Sequence, residues 1–292
     1  MQIGRVGVWA FLDAAAGEQL ADVVAELDEL GYGAIWVPET LGRDPFVLCS
    51  RLLAASTRIT AATGIASIYA RGPIAMSAGA KTLAEAFPGR FLLGLGVSHA
   101  PMVEGVHHRS YSRPVATMRA FLDAMDAATY TAPPPEPPPG RVLAALGPRM
   151  LTLAAERADG AHPYFVPPEH TAIARAALGE GPLLAPEQTV VLARDPAVAR
   201  DAARSFARSY LRLPNYANNL LRLGYTEDEL DHGADRVIDA VVAWGDVDAI
   251  VGRVRAHHDA GADHVCVQVL PRERGELPFA EWRELAPALL SA

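Results

Sequence analysis

Short apolar runs alternate with helical stripes along almost the whole chain. Residues 3–10 read as a strand. Leu20, Val23, Val24, Leu27 and Leu30 then recur at helical spacing until Gly31 stops the run. A second strand at 34–37 ends in Pro38-Glu39, a third covers 59–65 and a fourth 91–97. Helical patterns fall over 46–55, through Met76, Ala80, Leu83, Ala84 and Phe87, and through Met118, Phe121, Leu122 and Met125. Further strands are expected at 142–146, 161–165, 189–193 and 264–270. Near-continuous apolar strands separated by helices imply a parallel sheet covered on both faces. An open doubly wound sheet would use about five or six strands. Candidates that continue to the C-terminus instead point to an α/β fold of the (β/α)8 TIM-barrel type.

Two segments break the alternation. Residues 133–140 (PPPEPPPG) can be neither helix nor central strand, and read as a stiff, extended surface connection. A ligand for a proline-recognition module is the alternative. Residues 196–244 are too long for a simple loop and helical in pattern. They are expected as a helical insertion between the last two strands, placed to shape a substrate pocket.

Composition narrows the class without changing this picture. With 292 residues, 50% hydrophobic and 21% charged, the chain fits one barrel domain over 1–292. A net charge of −8 argues against a nucleic-acid or anionic-membrane partner, so an anionic cofactor would need local groups to hold it. No apolar run approaches the ~20 residues of a membrane span, and the first residues enter directly into a strand pattern. Cys49 and Cys266 lie far apart in apolar patterns. A cytoplasmic protein is the resulting expectation.

Barrel active sites use residues at the C-terminal ends of strands. The second strand ends in Glu39-Thr40, and Glu39 would point into the barrel mouth unless it pairs with Arg43. The third ends in Gly64-Ile65-Ala66, a bulge or merely an eased turn. The fourth runs into Gly94-Leu95-Gly96-Val97-Ser98-His99, where missing side chains let a planar ligand contact backbone. His99 titrates near neutrality and could move a proton; a loop histidine bonded to backbone is the alternative. Gly147-Pro148-Arg149-Met150 opens a helix after the fifth strand, and its N–H groups would suit an anion. Asp159-Gly160 could let the chain approach the same anion. The pairs His107-His108 and His257-His258 lack further ligands at metal spacing, so no metal is expected.

With these residues in place, the chain resembles the luciferase-like monooxygenase superfamily. Within it, the likeness is to the deazaflavin (coenzyme F420)-dependent oxidoreductases of actinobacterial type. The stretches that carry it include GYGAIWVPET, ATGIASIYARGP, FPGRFLLGLGVSHAPMVEG and LAALGPRMLTLAAERADGAHPYFV. The resemblance implies a cis non-prolyl peptide at Gly64-Ile65 backing the central ring. It sets the ring over Ile65 and Ala66, with Glu39, Gly96, Val97 and Ser98 around it. It also implies a cofactor phosphate on the backbone of Gly147, Arg149 and Met150, with Pro148 opening that turn and Gly160 nearby. Sugar-phosphate dehydrogenases of this family carry histidine where this chain has Thr40, which argues against sugar oxidation. The implied activity is hydride transfer between F420 and a small organic substrate, with Glu39 and His99 as candidates for the proton. The loop 101–113, the insertion, Tyr111, Tyr216 and Trp244 would cover the exposed ring face, and Arg149, Arg71 and Arg43 would line the exit for the acidic tail. FMN in a monooxygenase or reductase is the alternative, and a non-catalytic flavin-binding barrel a third. Pairing through helices, giving a homodimer, is expected by analogy.

Overall fold

The structure is a computed structural model that describes residues 3–273 and 275–291. Its strands are β1 (Val6–Trp9), β2 (Ala34–Val37), β3 (Thr60–Thr63), β4 (Ala66–Ser67), β5 (Phe91–Gly96), β6 (Gly140–Leu143), β7 (Gly160–Ala161), β8 (Leu183–Leu184), β9 (Glu187–Leu192), β10 (Val242–Gly245) and β11 (Val265–Val269). The helices between them are α1 (Gln19–Leu30), α2 (Pro45–Ala54), α3 (Pro73–Ala86), α4 (Ala100–Gly105), α5 (Pro114–Asp126), α6 (Pro148–Arg157), α7 (Pro168–Leu178), α8 (Pro196–Leu211), α9 (Pro214–Arg222), α10 (Glu227–His232), α11 (Asp235–Val241), α12 (Val247–Asp259) and α13 (Phe279–Leu289). Every helix from α2 to α9 has proline in its first turn, where a missing N–H costs nothing and φ is already helical.

Hydrogen-bonded neighbours run β10-β9-β11-β1-β2-β3-β5-β6-β7-β8, with β4 also on β5. The ends of this order are one stretch of chain, since β8 and β9 are separated only by Ala185-Pro186. On one side of it, Ala185 and Glu187 N–H donate to the carbonyls of Ala161 and Pro163. On the other, His264 and Cys266 N–H donate to the carbonyls of Leu184 and Pro186. The parallel sheet therefore closes on itself, and the expected TIM-barrel architecture is present. Trp9, Trp36, Leu92 and Val142 fill its inside beside the small Ala34, Ala62 and Cys266. A larger apolar layer lies between strands and outer helices, and a separate cluster holds the insertion together against β9.

Strand ends shift by a few residues from the sequence reading, and three differences bear on the site. The insertion is α8 to α11, and 242–244 is not part of it: these residues form β10, pairing Val242 with Thr189 through Gly245 with Leu192. A four-residue apolar run cannot be told from helix by periodicity alone. The sixth strand stops at Ala161, short of the expected 165, because Pro163 has no N–H to continue the ladder. The third strand is split into β3 and β4 by Gly64-Ile65, whose peptide bond is cis. The proline segment is a largely exposed connection from α5 to β6, with Glu136-Pro137 cis.

Candidate functional site

The C-terminal ends of the strands open into a cavity of about 640 Å³, roofed by the α4–α5 loop and by helices α8 and α9. Its lining collects Glu39, Gly64, Ile65, Gly96, Val97, Ser98 and His99 at one end and Gly147, Pro148, Arg149 and Met150 at the other. The volume is in the range of small-molecule and cofactor sites.

The first end is built from backbone. Gly64 lies between Trp9 Nε1, which donates to its carbonyl at 3.0 Å, and His162. A Cβ on Gly64 would sit 2.7 Å from Trp9 Nε1, and one on Gly96 would sit 2.4 Å from Ile65 Cδ1. Side chains there would collide with Trp9 and with Ile65, so glycine lets these groups and the backbone approach closely. Ser98 adopts a left-handed conformation, φ 55°, uncommon for a residue with a side chain. Ala66 is not part of the cavity lining: it is fully buried in β4.

The second end is the N-terminus of α6: Pro148 has no N–H, Met150 and Leu151 N–H donate to the Gly147 carbonyl, and the N–H groups of Gly147 and Arg149 have no backbone partner among the described residues. Arg149 stands exposed beside it, and Arg222 arrives from α9, its Nη2 3.7 Å from where a Gly147 Cβ would lie. Neither arginine pairs with a carboxylate among the described residues. Gly160 does not approach this anion end. It begins β7 at the far end of α6, about 15 Å of helix away, and is glycine because a Cβ would meet the Leu183 carbonyl oxygen at 2.0 Å.

Glu39 lines the cavity but is fully engaged. Its Oε2 accepts from Ser67 N at 2.7 Å and from Arg71 Nη1 at 2.9 Å, and its Oε1 from Arg71 Nη2. Arg71 also contacts Asp44 at 2.9 Å. Arg43 takes no part: it donates to the carbonyls of Leu12 and Ala15. Arg71 and Arg43 are therefore committed internally, and of the three expected exit arginines only Arg149 reaches the cavity. Thr40 Oγ1 donates to Asp13 Oδ2 at 2.6 Å, tying two loops.

His99 Nδ1 lies 3.0 Å from Asn215 Oδ1 of α9, so its alternative partner is a side chain and not backbone. Burial lowers its pKa, opposed by the Asn215 bond, so the neutral imidazole prevails near pH 7. Tyr111 and Tyr216 line the cavity as expected, whereas Trp244 faces away, its Nε1 bonded to Asp239 and its ring under Arg200. Sequence reading missed Trp9, His162, Tyr164 and Tyr210. Tyr164 and Tyr210 join Phe165, Phe206 and Tyr216 in an aromatic wall, with the Tyr164 hydroxyl 2.7 Å from Gln268 Oε1. The only advance signal was the aromatic cluster in HPYF, which the sequence reading placed inside the strand 161–165 and the structure places just past its end.

A sequence profile described as luciferase-like monooxygenase matches residues 5–264. The chain belongs to that family. It is 26% identical over 332 aligned positions, covering 91% of this chain and 94% of the other, to a Mycobacterium tuberculosis protein provisionally named a coenzyme F420-dependent oxidoreductase. Among solved structures it is similar to an F420-dependent secondary alcohol dehydrogenase in complex with an F420-acetone adduct (TM-score 0.79, 15% identity, 98% and 99% of the two chains covered). It is also similar to the oxygenating constituent of 3,6-diketocamphane monooxygenase of Pseudomonas putida in complex with FMN (TM-score 0.69, 15% identity, 98% and 96% covered). At these identities the structural likenesses establish the fold. Among the described residues no helix is long and apolar enough to cross a membrane.

Proposed function

We propose that this luciferase-like protein is an F420-dependent oxidoreductase acting on a small organic molecule. The observation that carries the reading is one cavity with the Gly64-Ile65 bulge and Gly96 at one end and the N-terminus of α6, with the free N–H groups of Gly147 and Arg149, at the other. A planar ring fits the first, where Gly64 and Gly96 withhold side chains, and a phosphate fits the second, where Arg149 and Arg222 add charge-assisted donors. The similarity to the mycobacterial protein favours the deazaflavin.

When bound, a deazaflavin supplies a ring carbon that exchanges hydride with a substrate carbon. The protein's own part is positioning, exclusion of water and handling of one proton. The aromatic wall of Tyr164, Tyr210 and Tyr216 and the α4–α5 loop exclude water from the cavity. His99 is the residue placed to move the proton: with Nδ1–H held by Asn215, its Nε2 is an acceptor for a substrate hydroxyl. Glu39, locked by Arg71 and Ser67, holds the β3–β4 bulge in place.

One observation favours FMN as the second reading. With Arg71 and Arg43 committed elsewhere, the cations at the anion end are Arg149 and Arg222, enough for a terminal phosphate and sparse for a longer acidic tail. Fluorescence titration of the purified protein with F420 and with FMN separates the two. F420 binding at least tenfold tighter is expected. Tight FMN binding with no response to F420 sinks the first reading, and binding of neither leaves a non-catalytic barrel.

A further inference from the structure

His162 lies on β7's continuation at the floor of the cavity, and it is 1% exposed. Its ring stacks on Trp36, centroids 4.3 Å apart and planes 14° from parallel, so its orientation is fixed. Nδ1 is 2.7 Å from the carbonyl oxygen of Ala185. A carbonyl can only accept, so Nδ1 carries the proton and Nε2 presents a lone pair. That Nε2 is buried and has no partner. Among the described residues it is the one buried, unpartnered side-chain polar atom on a residue that lines this cavity. It points beside the bulge, 3.3 Å from where a Gly64 Cβ would lie.

An orphaned buried acceptor is costly, and one that faces a ligand-sized cavity is placed to be completed by a donor bound there. We infer that His162 Nε2 accepts a hydrogen bond from the imide N–H on the inner edge of the cofactor ring, an inference that rests on the ring reading above. The imide is the N–H that deazaflavin and flavin rings share, so the contact selects for an imide-bearing ring before the tail is read. Burial keeps the imidazole neutral, its pKa pushed down to about 4, so the acceptor persists across the neutral range. Trp36 Nε1 donates to His264 Nε2 at 3.1 Å, and His264 Nδ1 is anchored on the Gly4 carbonyl at 2.8 Å. This second imidazole steadies the indole against which His162 is stacked.

The probes are F420, FMN and FMN methylated at the imide nitrogen, titrated against wild type, His162→Asn and His162→Gln. Asparagine keeps a donor for the Ala185 carbonyl but has no atom at Nε2; glutamine reaches the Nε2 position. Wild type is expected to bind methylated FMN about tenfold more weakly than FMN, the worth of one buried hydrogen bond. His162→Asn should bind F420 and FMN about tenfold more weakly and lose the discrimination against methyl, and His162→Gln should regain part of it. An equal FMN-to-methyl ratio in wild type and His162→Asn overturns the inference while leaving the ring reading intact. A rise only in the substrate KM of His162→Asn, with cofactor affinity unchanged, also overturns it, by assigning the donor to the substrate. Failure of wild type to bind any of the rings overturns both.

Discussion

The Glu39–Arg71 pair gives the sharpest quantitative prediction. The two side chains are 11% and 16% exposed, and the contact is bidentate with Ser67 N as a further donor. Arg71→Met leaves a nearly buried carboxylate with one backbone donor, which costs about 3 kcal/mol. Glu39→Gln keeps an acceptor for Ser67 and a neutral bond to Arg71, and costs about 1.5 kcal/mol. In the double variant no charge is stranded, so its cost is about 2 kcal/mol, giving a coupling of about 2.5 kcal/mol. Urea unfolding followed by circular dichroism is the assay. With a slope near 3 kcal/mol/M, Arg71→Met should lower the midpoint by about 1 M. Asp44, 46% exposed, offers Arg71 a second carboxylate and moderates the loss in Glu39→Gln. A coupling below about 0.5 kcal/mol, the value of a solvent-exposed pair, would refute the assignment of this pair as the brace of the β3–β4 bulge.

Gly96→Val places carbon against Ile65 Cδ1, and should weaken F420 binding more than tenfold with the circular dichroism spectrum retained; unchanged binding removes the backbone-lined ring site. Arg149→Ala with Arg222→Ala should cut cofactor affinity about a hundredfold at low salt and visibly less at high salt, whereas a salt-independent loss would point to misfolding. If His99 accepts the proton, kcat/KM for substrate oxidation should rise with pH through a value below 6.5 and then level, because burial lowers its pKa. His99→Gln should remove that limb. Acid sensitivity follows from His162, His264 and His257, held at about 4, 4 and 3 by burial. Below pH ~6.5 the unfolded chain binds protons that these folded groups refuse, so stability falls with pH. Glu187, raised by burial to about 7, opposes this between its unfolded value near 4.5 and 7, since its folded form holds a proton that the unfolded chain has released. These four groups together give about two protons, or about 2.7 kcal/mol per pH unit between pH 6 and 4.5, and His99, His170 and His258, also lowered by burial, act in the same direction; urea titration measures the slope, and a flat profile there contradicts the burial of these groups.

Much of this was legible in one dimension. The strand–helix alternation set the barrel, because a parallel strand covered on both faces is apolar throughout and a crossover helix is apolar on one stripe. Gly64-Ile65, Gly96 to His99 and Gly147 to Met150 were marked by where glycine and proline fall, and proximity to strand ends brings them to one rim. What failed depended on distance through space. Gly160 follows Gly147 closely in sequence, but α6 carries it to the opposite end of the barrel. Arg71 and Arg43 read as free cations until the fold gave one to Glu39 and the other to backbone carbonyls. Trp244 belonged to a helical pattern until pairing with β9 made it strand and turned it away. His162 had no motif at all: its tautomer, its neutrality and its orphaned nitrogen come from Ala185 and Trp36, far from it along the chain. Periodicity and turn chemistry are local and are written in order along the chain. Which charge finds which partner, and which buried polar atom is left without one, is settled only when the barrel closes.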